Sequence, residues 1–396
     1  MHMPVRSEGP ERLWTPALGA LLAAQAFFGY AFSSFFLIPT WLSRELGGSA
    51  TDVGWVMSAG SAAVVVLLPV MGHATDRLGR TRFLVLGGAL MGVASLGFAF
   101  VDAIGPLLYA LRIAQAVAFS MTFAAGGALA VDLAPPARVG QAVGLFGLTF
   151  LAMNGVASAV VEQLAEGVGW PMAFGAAGAA ALVSAALSAL LREGRSAAPP
   201  GVTPARVPDG ESPPRVSWTA LWIMASVGLA LGAMFNFAQL YAAALGLTDV
   251  SRFFVTYALT GVFVRAGFGH WFDTWGVRRT STVALALYVL VLVATMRLDG
   301  FGLVSIGCGL GLAHGAFYPS FTAVSLQAVG ASGRGRVIAY VQAAFSVGAT
   351  ASAGLGVIAD TLGYATVFGI AAAGLAVAWL LLVRLPSESR YGAQPG

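Results

Sequence analysis

The sequence predicts an all-α integral membrane protein, with twelve transmembrane helices in two six-helix bundles related by a parallel pseudo-two-fold repeat. Three observations carry that prediction. The 396 residues are 58% hydrophobic and 10% charged, with a mean hydropathy of +0.82. A soluble domain carries about 25% charged residues, so this surface cannot face water everywhere. Apolar runs approaching the roughly 20 residues that span a bilayer as helix recur along the chain. Finally, Gly72-His73-Ala74-Thr75-Asp76-Arg77-Leu78-Gly79-Arg80 returns as Gly269-His270-Trp271-Phe272-Asp273-Thr274-Trp275-Gly276-Val277-Arg278-Arg279, each copy between two long apolar runs. A charged, glycine-marked hairpin placed equivalently in two halves marks an internal duplication.

The runs start near Trp14, Val53, Phe83, Pro106, Val139 and Trp170 in the first half. In the second half they start near Trp218, Phe253, Ser281, Phe301, Val337 and Tyr364. The first run, Trp14 to Leu42, is longer than a bilayer requires and is expected to tilt or emerge. It follows a polar start, Met1 to Arg12, and is too long for a signal-peptide core, so it reads as a retained membrane helix. The ninth, Ser281 to Met296, is the weakest and ends at Arg297, which can snorkel to the headgroups. Between the halves, Arg192 to Ser217 holds six of the 18 prolines and reads as an exposed, semi-rigid linker. The expected organisation is a bundle over 1–191, a cytoplasmic linker over 192–217 and a second bundle over 218–396.

Arginine placement orients the chain. All 21 basic residues are arginine. Sixteen fall on the side shared by the termini, the linker and the motif hairpins, whereas Arg44, Arg252 and Arg297 fall on the other. Arg112 and Arg265 lie within helices. The positive-inside rule makes the arginine-rich side cytoplasmic, with both termini inside. The arginines form no continuous stripe, so the net charge of +4 does not suggest nucleic-acid binding. Without lysine there is no phosphate-binding Gly-x-x-x-x-Gly-Lys loop, so ATP is not the expected energy source. No cofactor or metal is implied, and the lone Cys308 forms no intrachain disulfide. No paired acids or His-x-x-x-His cluster suggests an enzyme.

These features resemble the major facilitator superfamily over essentially the whole chain. Its signature hairpin reads Gly-x-x-x-Asp-Arg-x-Gly-Arg-Arg; Gly72, Asp76, Arg77, Gly79 and Arg80 match it, with Thr81 replacing the last arginine. The second copy matches at Gly269, Asp273, Gly276, Arg278 and Arg279. The fourth run carries Arg112-Ile113-Ala114-Gln115-Ala116, close to the Arg-x-x-x-Gly of proton-coupled members. The Gly-Pro and Gly-Gly pairs of drug:proton antiporters are absent from Gly147 to Val161. The resemblance implies a secondary transporter of a small organic solute, working by rocking-bundle alternating access, with proton coupling and efflux favoured. Uptake or facilitation of a small organic anion is the alternative, and a non-transporting membrane sensor is a rival from another class. A bacterial inner membrane and a monomer are expected. The hairpin residues, together with Asp132, would form a conformational latch in which Arg80 reaches Asp132.

Polar groups at membrane depth are the candidate contacts, because a charge there costs about 2.5–3.5 kcal/mol and needs a partner or a wet cavity. The first, fourth, seventh and tenth helices line the cavity in this family, which selects Gln25, Tyr30, Arg112, Gln115, Asn236, Gln239, His314 and Tyr318. Proton coupling would fall to His314, Glu162 or Asp360. The bland reading for each neutral group is that it glues helices together.

Overall fold

The computed structural model describes residues 12–191, 217–267, 274–327 and 334–384, within which every regular element is a helix. In chain order these are α1 (Pro16–Ser33), α2 (Ile38–Glu45), α3 (Ala50–Leu78), α4 (Arg80–Gly97), α5 (Pro106–Asp132), α6 (Val139–Gly167) and α7 (Trp170–Ala189). They continue as α8 (Trp218–Ala244), α9 (Ser251–Gly267), α10 (Val277–Thr295), α11 (Leu298–Gln327), α12 (Arg334–Ala351), α13 (Gly354–Leu362) and α14 (Tyr364–Arg384). Eleven spans among the described residues are long and apolar enough to cross a bilayer. The remaining expected crossing, α9, is described over 17 residues. Val66, Leu86, Val93, Leu259, Phe263 and Leu290 are exposed, as lipid-facing positions require.

Local chemistry sets the boundaries. Thr15 caps α1 by accepting from the Leu18 N–H at 3.2 Å, with Pro16 in the first turn, where a missing N–H costs nothing. The over-long first run breaks into α1, a 3-10 turn at Ser34–Leu37, and α2. Ser49 and Asp52 bond reciprocally at the start of α3 (Ser49 N–H to Asp52 Oδ2, 3.0 Å; Asp52 N–H to Ser49 Oγ, 3.1 Å). In α11, Gly302 has φ +71°, so the regular helix begins after it. Gly79 and Gly276, the second glycines of the two motif copies, precede α4 and α10 with φ +99° and +84°. Side chains rarely adopt that conformation, which is why both copies keep glycine.

Contacts divide the chain into two compact units. Unit 1 holds 1–35, 66–101 and 110–202. Within it α4 packs on α7, and α1 packs on α6 and α7 around Leu18, Leu21, Phe83, Leu84, Leu129 and Phe146. Unit 2 holds 203–396 together with 36–65 and 102–109. The first half of α3 and all of α2 therefore cluster with helices of the second sequence half. Within unit 2, α11 packs on α9 and α10, and α8 packs on α12 and α14. Close approach needs small residues: Gly307, Gly311 and Gly315 on one face of α11 meet Phe253, Tyr257 and Gly261 of α9.

Candidate functional site

In unit 1, Arg112 lies in the second turn of α5 and donates to Gln115 Oε1 at 2.8 Å, one helical turn on. Gln115 and, on α1, Gln25 are both buried, at 2% exposure. Gln25 Oε1 and Gln115 Nε2 have no hydrogen-bond partner among the described residues. Tyr30 is partly buried on the same helix as Gln25. Phe32, Phe119 and Phe150 pack with tilted rings at centroid distances of 4.6 to 5.9 Å. Ser33 donates to Asn154 Oδ1 at 2.7 Å, tying α1 to α6.

Unit 2 contains a denser cluster. His314, in the middle of α11, is ringed by four aromatic side chains. Its centroid lies 6.2 Å from Tyr257, 6.2 Å from Tyr288, 5.8 Å from Tyr318 and 6.4 Å from Phe345. These come from α9, α10, α11 and α12, so four helices converge on one imidazole. Tyr318 donates to Gln342 Oε1. The charge of Arg265, two turns along α9 from Tyr257, acts on Tyr257, His314 and Tyr318. His314 Nδ1, the Tyr288 hydroxyl and Arg265 Nε are buried without hydrogen-bond partners among the described residues. Buried polar atoms are nearly always satisfied, so three orphans around one ring call for an explanation.

The other two candidates in unit 2 are engaged internally. Gln239 accepts from Thr40 Oγ1 at 2.7 Å and donates to the Phe36 and Phe235 carbonyls at 2.9 and 2.6 Å. Asn236 donates to Ser352 Oγ at 3.2 Å. Both tie α8 to neighbouring elements. Asp360 does the same at the arginine-poor end: its carboxylate accepts from the Ala50 N–H (3.0 Å), the Thr51 N–H (2.8 Å) and the Thr51 hydroxyl (2.6 Å). A carboxylate is favoured at a helix N-terminus. Further along the same seam, Ser58 donates to the Thr350 carbonyl at 2.8 Å, and Gly54 meets the backbone of Ala353. Glu162 is partly buried towards the end of α6.

Of the hairpin residues, Arg80 forms an ion pair with Asp132 at the end of α5. Arg278 donates to the Leu382 and Val383 carbonyls at 3.5 and 3.4 Å, and Thr81, its counterpart in the first copy, donates to the Leu191 carbonyl at 3.4 Å. Each copy thus reaches backbone carbonyls at the end of its own half: Leu382 and Val383 in the last turn of α14, and Leu191 two residues past the end of α7. Arg279 directly follows Arg278 in the first turn of α10. Gly269 and Asp273 lie outside the described residues, as do the side-chain positions of Gly72, Asp76 and Arg77.

Sequence reasoning missed Tyr257, Tyr288 and Phe345, which look like ordinary apolar-helix aromatics. It counted Arg265 within a helix without giving it a role. The signal for Arg265 was present, because a cation inside a membrane helix needs a reason.

Comparison with known proteins gives a consistent result. A sequence profile described as Major Facilitator Superfamily matches residues 19–311 and 253–396. The chain is 41% identical over 59 residues to the methyl viologen resistance protein SmvA of Salmonella typhimurium, a match covering 15% of this chain and 12% of that protein. It is 28% identical over 175 residues to a D-xylose transporter of Levilactobacillus brevis, covering 42% of this chain and 36% of that one. The matched segments therefore span well under half of either relative. Among solved structures, the peptide transporter POT superposes with a TM-score of 0.76 at 13% identity, covering 92% of this chain and 93% of that one. A bacterial homologue of the human lysosomal transporter Spinster, inward-facing and unoccupied, gives 0.70 at 14% identity over 95% of this chain and 96% of that one.

Proposed function

The chain belongs to the major facilitator superfamily, and from that premise we propose that it is a secondary transporter moving a small organic solute across a bacterial cytoplasmic membrane by alternating access. The observation that carries the proposal is the set of unsatisfied polar atoms held at membrane depth. In unit 2 these are His314 Nδ1, the Tyr288 hydroxyl and Arg265 Nε; in unit 1 they are Gln25 Oε1 and Gln115 Nε2. A purely structural bundle would satisfy or omit them, because each orphan costs about 1–3 kcal/mol. A solute that completes these bonds in transit offsets that cost, as binding sites near the midplane of such transporters require.

Alternating access also needs contacts that break. The seam of Asp360, Thr51, Ser58 and Thr350 supports a closed state at the arginine-poor end, which positive-inside orientation assigns to the cell exterior. The ion pair of Arg80 with Asp132, and the hairpin around it, supports a latch at the opposite end. His314 is the preferred proton-carrier candidate on the condition that a bound anion first offsets the Arg265 charge that acts on it. Asp360 is less suited, with its carboxylate already engaged by α3.

Export is favoured by the likeness to SmvA, whose name denotes resistance to methyl viologen. Uptake is the second reading, favoured by the longer match to a D-xylose transporter. Both are tested in proteoliposomes holding the purified chain, with solute flux followed under an imposed proton gradient and without ATP. Gradient-driven flux that collapses with a protonophore supports coupled transport, and its direction separates the two readings. Flux that ignores the gradient would make the chain a facilitator. No flux for any solute class, with orientation verified, would overturn the transporter reading.

A further inference from the structure

We propose that Arg265, His314, Tyr257, Tyr288 and Tyr318 form a subsite for the anionic group of the transported solute, and that this solute is an organic carboxylate with an apolar or aromatic body. The inference rests on the transporter reading above and names the solute class.

The first argument is charge. Arg265 brings a guanidinium into the cluster. No acidic side chain among the described residues of unit 2 pairs with it. Asp249 pairs with Arg252 at 2.6 Å, Asp52 bonds Ser49, and Asp360 caps α3. Glu45, Asp102 and Asp299 lie at or beside helix ends. A guanidinium within an apolar helix, with no counter-charge among the described residues of its unit, is stabilised by an anion arriving from outside the protein. A carboxylate fits its planar fork.

The second argument is donor geometry. The rings of Tyr257 and Tyr288 each lie 6.2 Å from the His314 ring, and the Tyr288 hydroxyl and His314 Nδ1 are buried without partners among the described residues. Tyrosine hydroxyls donate readily to a carboxylate, and a neutral imidazole donates from one ring nitrogen. The rings supply an apolar wall on several sides of His314, suited to the body of the solute. An aromatic cage alone would also suit an organic cation. Arg265 decides against that: it lies two turns along α9 from Tyr257 with its Nε buried and unpartnered among the described residues, and a guanidinium there repels a cation.

The test is equilibrium binding to the purified full chain in detergent, by calorimetry. The probes are aliphatic and aromatic monocarboxylates (hexanoate, benzoate, phenylacetate) set against benzamide and benzylammonium. We expect at least one carboxylate to bind ten-fold or more tightly than either matched control. Arg265→Gln should weaken that binding at least ten-fold, and Arg265→Lys should restore part of it. Tyr288→Phe and His314→Gln should each weaken it several-fold, and they stand in for Arg265→Gln if that variant does not fold. Binding of the controls as tight as that of the carboxylates overturns the proposal, as does indifference to these substitutions or no binding of any carboxylate. Counterflow in proteoliposomes separates this failure from that of the transporter reading. Exchange of benzamide or benzylammonium, but of no carboxylate, sinks the subsite and leaves transport standing. Arg265-dependent carboxylate binding without exchange of any probe sinks transport and leaves the subsite standing.

Discussion

At the scale of single residues, polar groups in apolar helices divide by whether their bonds are already made. Gln239 is 1% exposed and makes three hydrogen bonds to Thr40, Phe36 and Phe235. Replacing it by leucine orphans the Thr40 hydroxyl, so Gln239→Leu should destabilise by about 2 kcal/mol. The check is a lower unfolding midpoint in detergent with solute affinity little changed. A loss of affinity at unchanged stability would mean that Gln239 touches solute after all. Sequence showed which residues are polar at depth, Arg112, His314 and Tyr318 among them. It could not show which are spent, because Thr40 is 199 positions from Gln239 and Ser352 is 116 from Asn236. Nothing local marks such a pair, and the same holds for the convergence of Tyr257, Tyr288 and Phe345 on His314.

At the scale of elements, backbone proximity is set by where side chains are absent. A Cβ at Gly315 would lie 3.3 Å from the Gly261 Cα and 3.4 Å from the Val264 Cβ. Gly315→Leu should therefore push α11 away from α9 and cost about 1–3 kcal/mol. It should also weaken solute binding, because His314 is the adjacent residue. The measurement is unfolding midpoint and affinity together; a variant that loses neither would show that the helices are not in close contact. Helix existence was legible from apolar run length alone. The breaks were not: the 3-10 turn at Ser34–Leu37 and the interruption between α12 and α13 fall inside continuous apolar runs, and the kink at Gly302 sits at the edge of one. Hydropathy has no term for them.

At the scale of the whole chain, duplication was the most legible property, since it rests on motif spacing rather than on contacts. It reappears in the backbone: Gly169 and Gly363 precede α7 and α14 with φ +109° and +84°, matching the pair at Gly79 and Gly276. What the repeat could not foretell is that 36–65 and 102–109 cluster with the second half. Asp360 is one of the side chains that make this grouping, through its bonds to Ala50 and Thr51; its positional counterpart in the first copy is Glu166. The grouping yields a prediction about the transport cycle. With Cys308 replaced by serine, Thr51→Cys combined with Asp360→Cys should cross-link under mild oxidation, because the native side chains are 2.6 Å apart. Flux should fall at least ten-fold and return on reduction. Full flux in the cross-linked protein would show that this seam never has to part.

The two clasps between corresponding helices are written in opposite order. Ser33 on α1 donates to Asn154 on α6, whereas Asn236 on α8 donates to Ser352, in the turn directly after α12. Evolution has thus run a transposition in one molecule, which can be repeated by hand. Ser33→Asn or Asn154→Ser alone should lower the melting temperature by several degrees, yet together they should recover most of the loss. If the double variant is no better than the worse single one, the local cavity, and not the donor–acceptor match, dictates which partner stands where.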